Sequence, residues 1–139
     1  MQQKKKRTTA FLKSYNNLSE GLLDRDLAAL GDAYINWVYS LALSEKKGKP
    51  EGKKVKGTTL ADALRKAGLR TLLPSRIEKH VLSDAAEALL VYAWLQNMLS
   101  LEDSVNTLRA YESLENGLTQ LLLKAKEQIR LSGLFQVLH

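Results

Sequence analysis

The chain lacks cysteine altogether and has only two prolines among its 139 residues. Without cysteine there is no disulfide framework and no cysteine-ligated zinc, which excludes small disulfide scaffolds and zinc-finger modules. A long apolar run is also missing, because acidic residues interrupt the longest ones before they reach the roughly 20 residues that span a membrane. We therefore expect a soluble, cytoplasmic protein with no membrane partner.

Several sequence patterns are absent as well. Strand-like alternation of polar and apolar residues is nearly missing, and there is no internal repeat, glycine-rich phosphate loop, Ser/His/Asp set or zinc-ligand spacing. Apolar residues instead recur at helical spacing, which predicts an all-α fold with one domain over residues 1–139. The predicted helices cover residues 9–23, 25–45, 58–68 and 75–98, followed by two or three helices divided near Gly117 and Gly133.

The second predicted helix carries one polar stripe. Apolar side chains surround most of this helix, so we expect it to be buried nearly all round, with Trp37 in the core. Its polar exceptions, Asp32, Asn36 and Ser40, are spaced by four residues and therefore line up on one side. A polar stripe on a core helix typically faces a binding site or a partner.

Positive charge is in excess and unevenly distributed. The formal net charge is +6, and such a basic surface attracts polyanions, with nucleic acid as the first candidate. One cluster lies in residues 1–8, which we expect to form a disordered tail, and a second in a flexible loop at residues 46–57. The loop lysines are Lys46, Lys47, Lys49, Lys53, Lys54 and Lys56. They either bind the RNA backbone or simply keep a connecting loop solvated.

Negative charge appears at two places that are otherwise nearly free of charge. Asp32 is the only charged residue in residues 27–43, and Asp84 and Glu87 are the only ones in residues 81–101. An isolated buried carboxylate is strongly unfavourable, so such groups normally lose their charge, pair with a cation or bind a metal. Asp84 and Glu87 are three residues apart on a predicted helix and point the same way. Together the three acids predict a metal site inside a basic protein.

The order and the residue sequences of these acidic stretches resemble those of the ribonuclease III catalytic domain over residues 20–100. Residues 30–33 read Leu-Gly-Asp-Ala, as in the signature helix of that family, and residues 84–89 are similar to its later motif, an acid followed by Glu-Ala-Leu. Between them, residues 60–69 resemble the short family helix that ends in Gly-Leu. The ordered combination on predicted helices is more specific than either motif alone.

This resemblance implies an all-α homodimer that cleaves double-stranded RNA with Mg²⁺, or alternatively Mn²⁺. Asp32, Asp84 and Glu87 match three of the four acids that the family uses as catalytic metal ligands, whereas the fourth falls on Ala28. The compact Mini-ribonuclease III group also lacks that acid and lacks a separate double-stranded-RNA-binding domain, and this sequence looks closest to it. Val91 is a second departure, since the family usually has glycine there.

Two functions from different classes remain open. The first is a magnesium-dependent endoribonuclease, a hydrolase of phosphodiester bonds that acts on double-stranded or structured RNA in RNA processing. The second is a non-catalytic RNA-binding or ribosome-associated module that keeps the ribonuclease III fold. In both, the loop lysines contact phosphates, because carboxylates alone would repel RNA. Metal-dependent cleavage of duplex RNA separates the two functions.

Overall fold

A computed structural model describes residues 9–135, so the predicted tail at residues 1–8 and the end at residues 136–139 lie outside the described residues. The described part contains helices and no strand, which confirms the all-α prediction. The helices are α1 (Leu18–Leu22), α2 (Arg25–Lys47), α3 (Gly57–Lys66), α4 (Lys79–Leu95), α5 (Leu101–Arg109) and α6 (Leu114–Ser132), with a single 3₁₀ turn at Arg70–Leu72. No helix in this range is long and apolar enough to cross a membrane.

Helix α4 is the centre of the domain. From Leu82 to Leu95 nearly every residue of this helix is buried, because the run is built of alanine, leucine and valine with few polar interruptions. Helix α2 packs along one side of α4, and α1, α3 and α6 cover its other sides, whereas α5 packs against α2. The acids of α4 therefore lie on the central helix of the core.

Helix α2 is buried on one face only, which corrects the expectation that it is buried nearly all round. Ile35 and Val38 are fully buried against the core, whereas Trp37 is 56% exposed and Leu30 is 41% exposed. The prediction of Trp37 as a core residue is therefore wrong. Composition alone could not reveal this, because a helix buried on all sides and a helix with one exposed apolar face can carry the same apolar residues.

Several helix ends differ from the predicted ones for local reasons. The first helix is limited to Leu18–Leu22, because the Asn17 side chain accepts a hydrogen bond from the Glu20 N–H and starts it late. Helix α4 begins only at Lys79, since the Arg70 guanidinium donates to the carbonyls of Pro74 and Ser75 and holds that stretch outside the helix.

Glycine near the end of the chain has two different roles. Gly117 does not divide a helix, because it lies inside α6, and the break falls earlier, where Ser113 caps α6 by accepting from the Asn116 N–H. Gly117 instead packs against Leu108, which would lie 3.2 Å from an added Cβ atom. Gly133 ends α6 as predicted, with a left-handed φ of 72°.

Helices α2 and α4 make their closest approach at Gly31. A Cβ atom built on Gly31 would lie 2.1 Å from the carbonyl oxygen of Glu87 and 3.0 Å from its Cβ atom. Both distances are below van der Waals contact, so only glycine permits this crossing. The crossing places Asp32, the next residue on α2, beside the side chain of Glu87 on α4.

Candidate active site

Two of the three predicted acids meet at the α2–α4 crossing. Glu87 is buried, with 6% of its surface exposed, and its carboxyl group lies beside that of Asp32, which is at the surface. Asp84 is half-buried one turn earlier on α4, and its charge still acts on Glu87. The structure thus brings Asp32 and Glu87 side by side, and Asp84 acts on Glu87 through its charge.

Burial and crowding change the acidity of Glu87. Removal from water is the largest effect, followed by the hydrogen bond to Asp32 and by the charges of Asp32 and Asp84; together they raise the pKa of Glu87 from 4.5 to about 9. The Glu87 carboxyl therefore keeps a proton at neutral pH when no cation is near. A cation placed between these acids would take over the role of that proton.

The donor set fits a hard divalent cation with an incomplete protein shell. Among residues 9–135 no three His, Cys, Asp or Glu side chains are grouped closely enough to hold a metal by themselves. One buried Glu87 oxygen, Oε2, has no hydrogen-bond partner within this range. This oxygen could therefore coordinate a metal ion. Mg²⁺ typically binds one or two carboxylates and completes its shell with water and substrate phosphates. Asp32 and Glu87 match that pattern.

The two departures from the family pattern are both buried. Ala28, one turn before Asp32, is 3% exposed and supplies no oxygen ligand. Val91, one turn after Glu87, is fully buried in the core. The branched side chain of Val91 coexists with the close contact between Gly31 and Glu87, so it does not prevent α2 and α4 from crossing there.

Two of the six predicted RNA-binding lysines are helical. Helix α2 extends to Lys47, and Gly48 ends it with a left-handed φ of 71°. The Lys46 Nζ atom donates to the Tyr111 carbonyl at 3.1 Å, and Lys47 forms an ion pair with Glu51 at 2.7 Å. The connecting loop is therefore shorter than predicted, residues 48–56, and these two lysines already have partners inside the chain.

The remaining lysines lie on an extended segment that is held against α2. Asn36 and Ser40 of the polar stripe, and Ser44 four residues further along α2, accept hydrogen bonds from three alternate backbone N–H groups of residues 51–55. The bonds are Glu51 N–H to Ser44 Oγ at 2.9 Å, Lys53 N–H to Ser40 Oγ at 2.9 Å, and Val55 N–H to Asn36 Oδ1 at 2.7 Å. We call this set the polar ladder. It holds part of the predicted flexible loop against α2.

The hydrogen bonds of the polar ladder stay aligned because the helix and the extended segment have nearly equal repeat distances. Four residues of an α-helix rise about 6 Å, and two residues of an extended chain rise about 6.6 Å, so successive bonds stay in step. Val55 is buried, whereas Lys54 and Lys56 on either side of it are exposed. Lys49, Lys53, Lys54 and Lys56 form no ion pair within the described residues, so their charges are available to a ligand.

The polar ladder leads towards the acids. Its last acceptor, Asn36, also donates from Nδ2 to Asp32 Oδ1 at 3.3 Å. The segment then ends at Gly57, where an added Cβ atom would lie 3.5 Å from the Ser83 hydroxyl, next to Asp84 in sequence. The sequence predicts the stripe of Asp32, Asn36 and Ser40 but not the segment that lies along it; the spacing by four residues is the signal that something packs there.

The fold and the site together define an all-α domain with paired carboxylates at a glycine-mediated helix crossing and a basic segment beside them. A family model described as Ribonuclease III matches residues 25–137, which is most of the chain. The chain therefore belongs to the ribonuclease III family, which confirms the resemblance seen in its acidic motifs. Comparison with curated proteins gives no match.

Proposed function

We propose that this protein is a metal-dependent endoribonuclease that cleaves double-stranded or structured RNA during RNA processing. Family membership supports the class of reaction. The single observation that carries the proposal is the Asp32–Glu87 carboxyl pair, held at a helix crossing that only glycine at position 31 allows. A crowded acid pair of this kind is destabilising on its own, which is expected of a site kept for a ligand rather than for folding.

The carboxyl pair would hold Mg²⁺, or Mn²⁺ in its place, through Asp32 and Glu87, with Asp84 binding directly or through a water molecule. Such an ion lowers the pKa of a nearby water and neutralises charge on the phosphate during phosphodiester hydrolysis. The protein itself fixes the two carboxylates by packing, because Glu87 is buried and its backbone is locked against Gly31. Exposed Asp32 forms the side of the site that RNA can reach.

The lysines beside the polar ladder would bind the RNA backbone. Lys53, Lys54 and Lys56 are exposed on a segment that runs along α2 towards Asp32. Ammonium groups neutralise phosphates without reading bases, and A-form RNA is recognised mainly by shape and by 2′-hydroxyl groups. We therefore expect duplex RNA to be bound with little base specificity.

The exposed face of α2 supports a homodimer. Leu30, Ala33 and Trp37 lie on this face at helical spacing, and all three are exposed in the single chain. Large exposed apolar side chains in one stripe mark interaction surfaces, and the apolar composition favours a second copy of the chain over a charged RNA. A two-fold axis through this face would present one acidic site to each of the two antiparallel strands of a duplex.

The proposal is tested by incubating the protein with an end-labelled RNA duplex in Mg²⁺, and then with excess chelator. We expect defined cleavage products with Mg²⁺ or Mn²⁺, none with chelator, and little cleavage of an unstructured single strand. The absence of an acid at buried Ala28 favours the alternative, a non-catalytic RNA-binding or ribosome-associated module. Duplex binding without cleavage in either metal would establish that alternative.

A further inference from the structure

Asn36 makes two hydrogen bonds with different parts of the site. Its Nδ2 atom donates to Asp32 Oδ1 at 3.3 Å, and its Oδ1 atom accepts from the Val55 N–H at 2.7 Å. A side-chain amide is suited to both, because it combines donor and acceptor in one rigid group. An ionised aspartate at this position would keep the acceptor and lose the donor, and alanine would lose both.

Asn36 is also the point where the polar ladder ends and the acidic pair begins. Ser40 and Ser44 bind only the loop segment and their own helix, whereas Asn36 contacts the segment and a predicted metal ligand together. Its position therefore sets the distance between the exposed lysines that flank Val55 and the carboxylate of Asp32. A shift of the segment at Val55 would be transmitted to Asp32 through this single side chain.

We propose that Asn36 is a positioning residue that orients the Asp32 carboxylate and fixes the lysine-bearing segment in register with it. The inference rests on the proposed function, because it assigns a role to Asn36 in that same site. Asp32 needs such a partner, since it lies on the exposed side of the pair and is not held by the packing that locks Glu87. Hydrogen-bond partners of metal-binding carboxylates typically affect metal affinity or activity by about 10–100-fold.

Three variants separate the two bonds. Asn36→Ala loses both, Asn36→Asp keeps the acceptor for Val55 and places a like charge beside Asp32, and Ser40→Ala releases Lys53 without touching Asp32. We expect kcat on duplex RNA to fall by about 10–100-fold in both Asn36 variants and to stay within about threefold in Ser40→Ala. A thermal melt of each metal-free variant checks that the fold is retained.

Amide hydrogen exchange tests whether Asn36 fixes the lysine-bearing segment, and it does not require RNA cleavage. The Val55 N–H should exchange at least about tenfold faster in Asn36→Ala and stay protected in Asn36→Asp, because only the alanine variant lacks the acceptor. Ser40→Ala should expose the Lys53 N–H instead. Unchanged Val55 exchange in Asn36→Ala, or kcat equal to wild type in both folded Asn36 variants, would overturn the proposal.

A Mg²⁺ titration followed by amide NMR shifts of residues 31–33 distinguishes failure of this proposal from failure of the proposed function. If the wild type binds Mg²⁺ but cleaves no RNA, the endoribonuclease assignment fails, and about 10–100-fold weaker Mg²⁺ binding in the Asn36 variants still supports the positioning role. Equal Mg²⁺ affinity in wild type and variants overturns that role. A wild type that neither binds Mg²⁺ nor cleaves overturns both.

Discussion

The α2–α4 crossing and the segment at residues 51–56 share one helix but are held in place by different interactions. At the crossing, backbone meets backbone, and no atom can be added to Gly31 without a clash with Glu87. The segment is instead attached by side-chain hydrogen bonds at the surface, and Gly52 has no neighbour within 4 Å of an added Cβ atom. The first region is fixed by packing and the second by polar contacts.

This difference matches what each region would have to do. Metal ligands must be held within a fraction of an ångström, which a packed crossing provides. Binding a phosphate backbone tolerates small movements, because ammonium groups act as adaptable point charges. Changes at the crossing should therefore affect the chemical step and folding, whereas changes in the segment should affect RNA affinity and its salt dependence.

The largest expected effect is the loss of cleavage when one acid of the pair is neutralised. Asp32→Asn and Glu87→Gln should each reduce the cleavage rate by at least about a thousandfold, equivalent to about 4 kcal/mol in the barrier, because each removes a ligand charge at nearly constant size. The metal-free variants should be as stable as wild type or more stable, since like charges in one site repel. Either variant cleaving at a near wild-type rate would make the site assignment wrong.

Removing the lysines of the segment should change RNA binding and not the chemistry. Replacing Lys53, Lys54 and Lys56 by alanine should flatten the slope of log affinity against log salt by about two to three units. The cleavage rate at saturating RNA should persist, because these side chains bind substrate and transition state alike. The matched control replaces the same three lysines by arginine and should keep the slope. An unchanged slope in the alanine variant would mean that the segment only connects two helices and does not bind RNA phosphates.

Breaking the exposed apolar face should separate the two copies of the proposed dimer. Trp37→Glu should weaken association by at least about 30-fold, because a buried interface tryptophan typically contributes 2 kcal/mol or more. Light scattering should then give the 15.6 kDa of one chain, against twice that mass for the wild type. Leu131→Glu, on an equally exposed apolar residue of α6, is the control and should remain dimeric. A monomeric wild type at micromolar concentration would exclude the dimer.

Adding one methyl group in each region should change the free energy of unfolding by different amounts. Gly31→Ala forces an atom against the Glu87 carbonyl and should lower the free energy of unfolding by about 1–3 kcal/mol or more, as overpacking does. Gly52→Ala, where nothing lies near and φ is not positive, should stay within about 0.5 kcal/mol. Urea unfolding of both variants measures the difference. Equal effects would mean that the crossing is less tight than described.

A further expected effect is a pH dependence of stability in metal-free protein. Since Glu87 has a pKa of about 9 in the folded state and 4.5 as its ordinary value, the folded chain keeps a proton that the unfolded chain releases between these values. Stability is therefore highest below pH 4.5 with respect to this group and falls as pH rises towards 9, by at most about 1.4 kcal/mol per pH unit. Glu87→Gln should remove that slope in thermal melts, and an identical slope in both proteins would contradict the raised pKa.

Sequence was sufficient for the features that depend on spacing. The three-residue interval of Asp84 and Glu87 and the four-residue interval of Asp32, Asn36 and Ser40 correctly placed these side chains on shared helix faces. The all-α fold followed from the same periodicity, because helical faces repeat whatever they pack against. The family motif likewise depends on residue order, which the chain displays directly.

Features that depend on contacts between distant segments could not be predicted in this way. Spacing on α2 does not show that Val55 lies opposite Asn36, or that Gly31 faces the backbone of Glu87, because these pairs form only when the chain folds back. Exposure of Trp37 is a further case, since an apolar residue looks the same in a core and on an interface. Lys46 and Lys47 fall in the predicted loop because they belong to the same lysine-rich run as residues 49–56, and the end of α2 lies inside that run.

The most direct test of the account measures single-turnover cleavage and duplex affinity in one experiment, on Glu87→Gln and on the alanine variant of Lys53, Lys54 and Lys56. We predict that Glu87→Gln keeps wild-type affinity and loses cleavage, whereas the lysine variant loses affinity and keeps the cleavage rate at saturating RNA. Full cleavage by Glu87→Gln, or a saturating rate that falls with the lysines, would contradict the assignment of chemistry to the crossing and of binding to the segment.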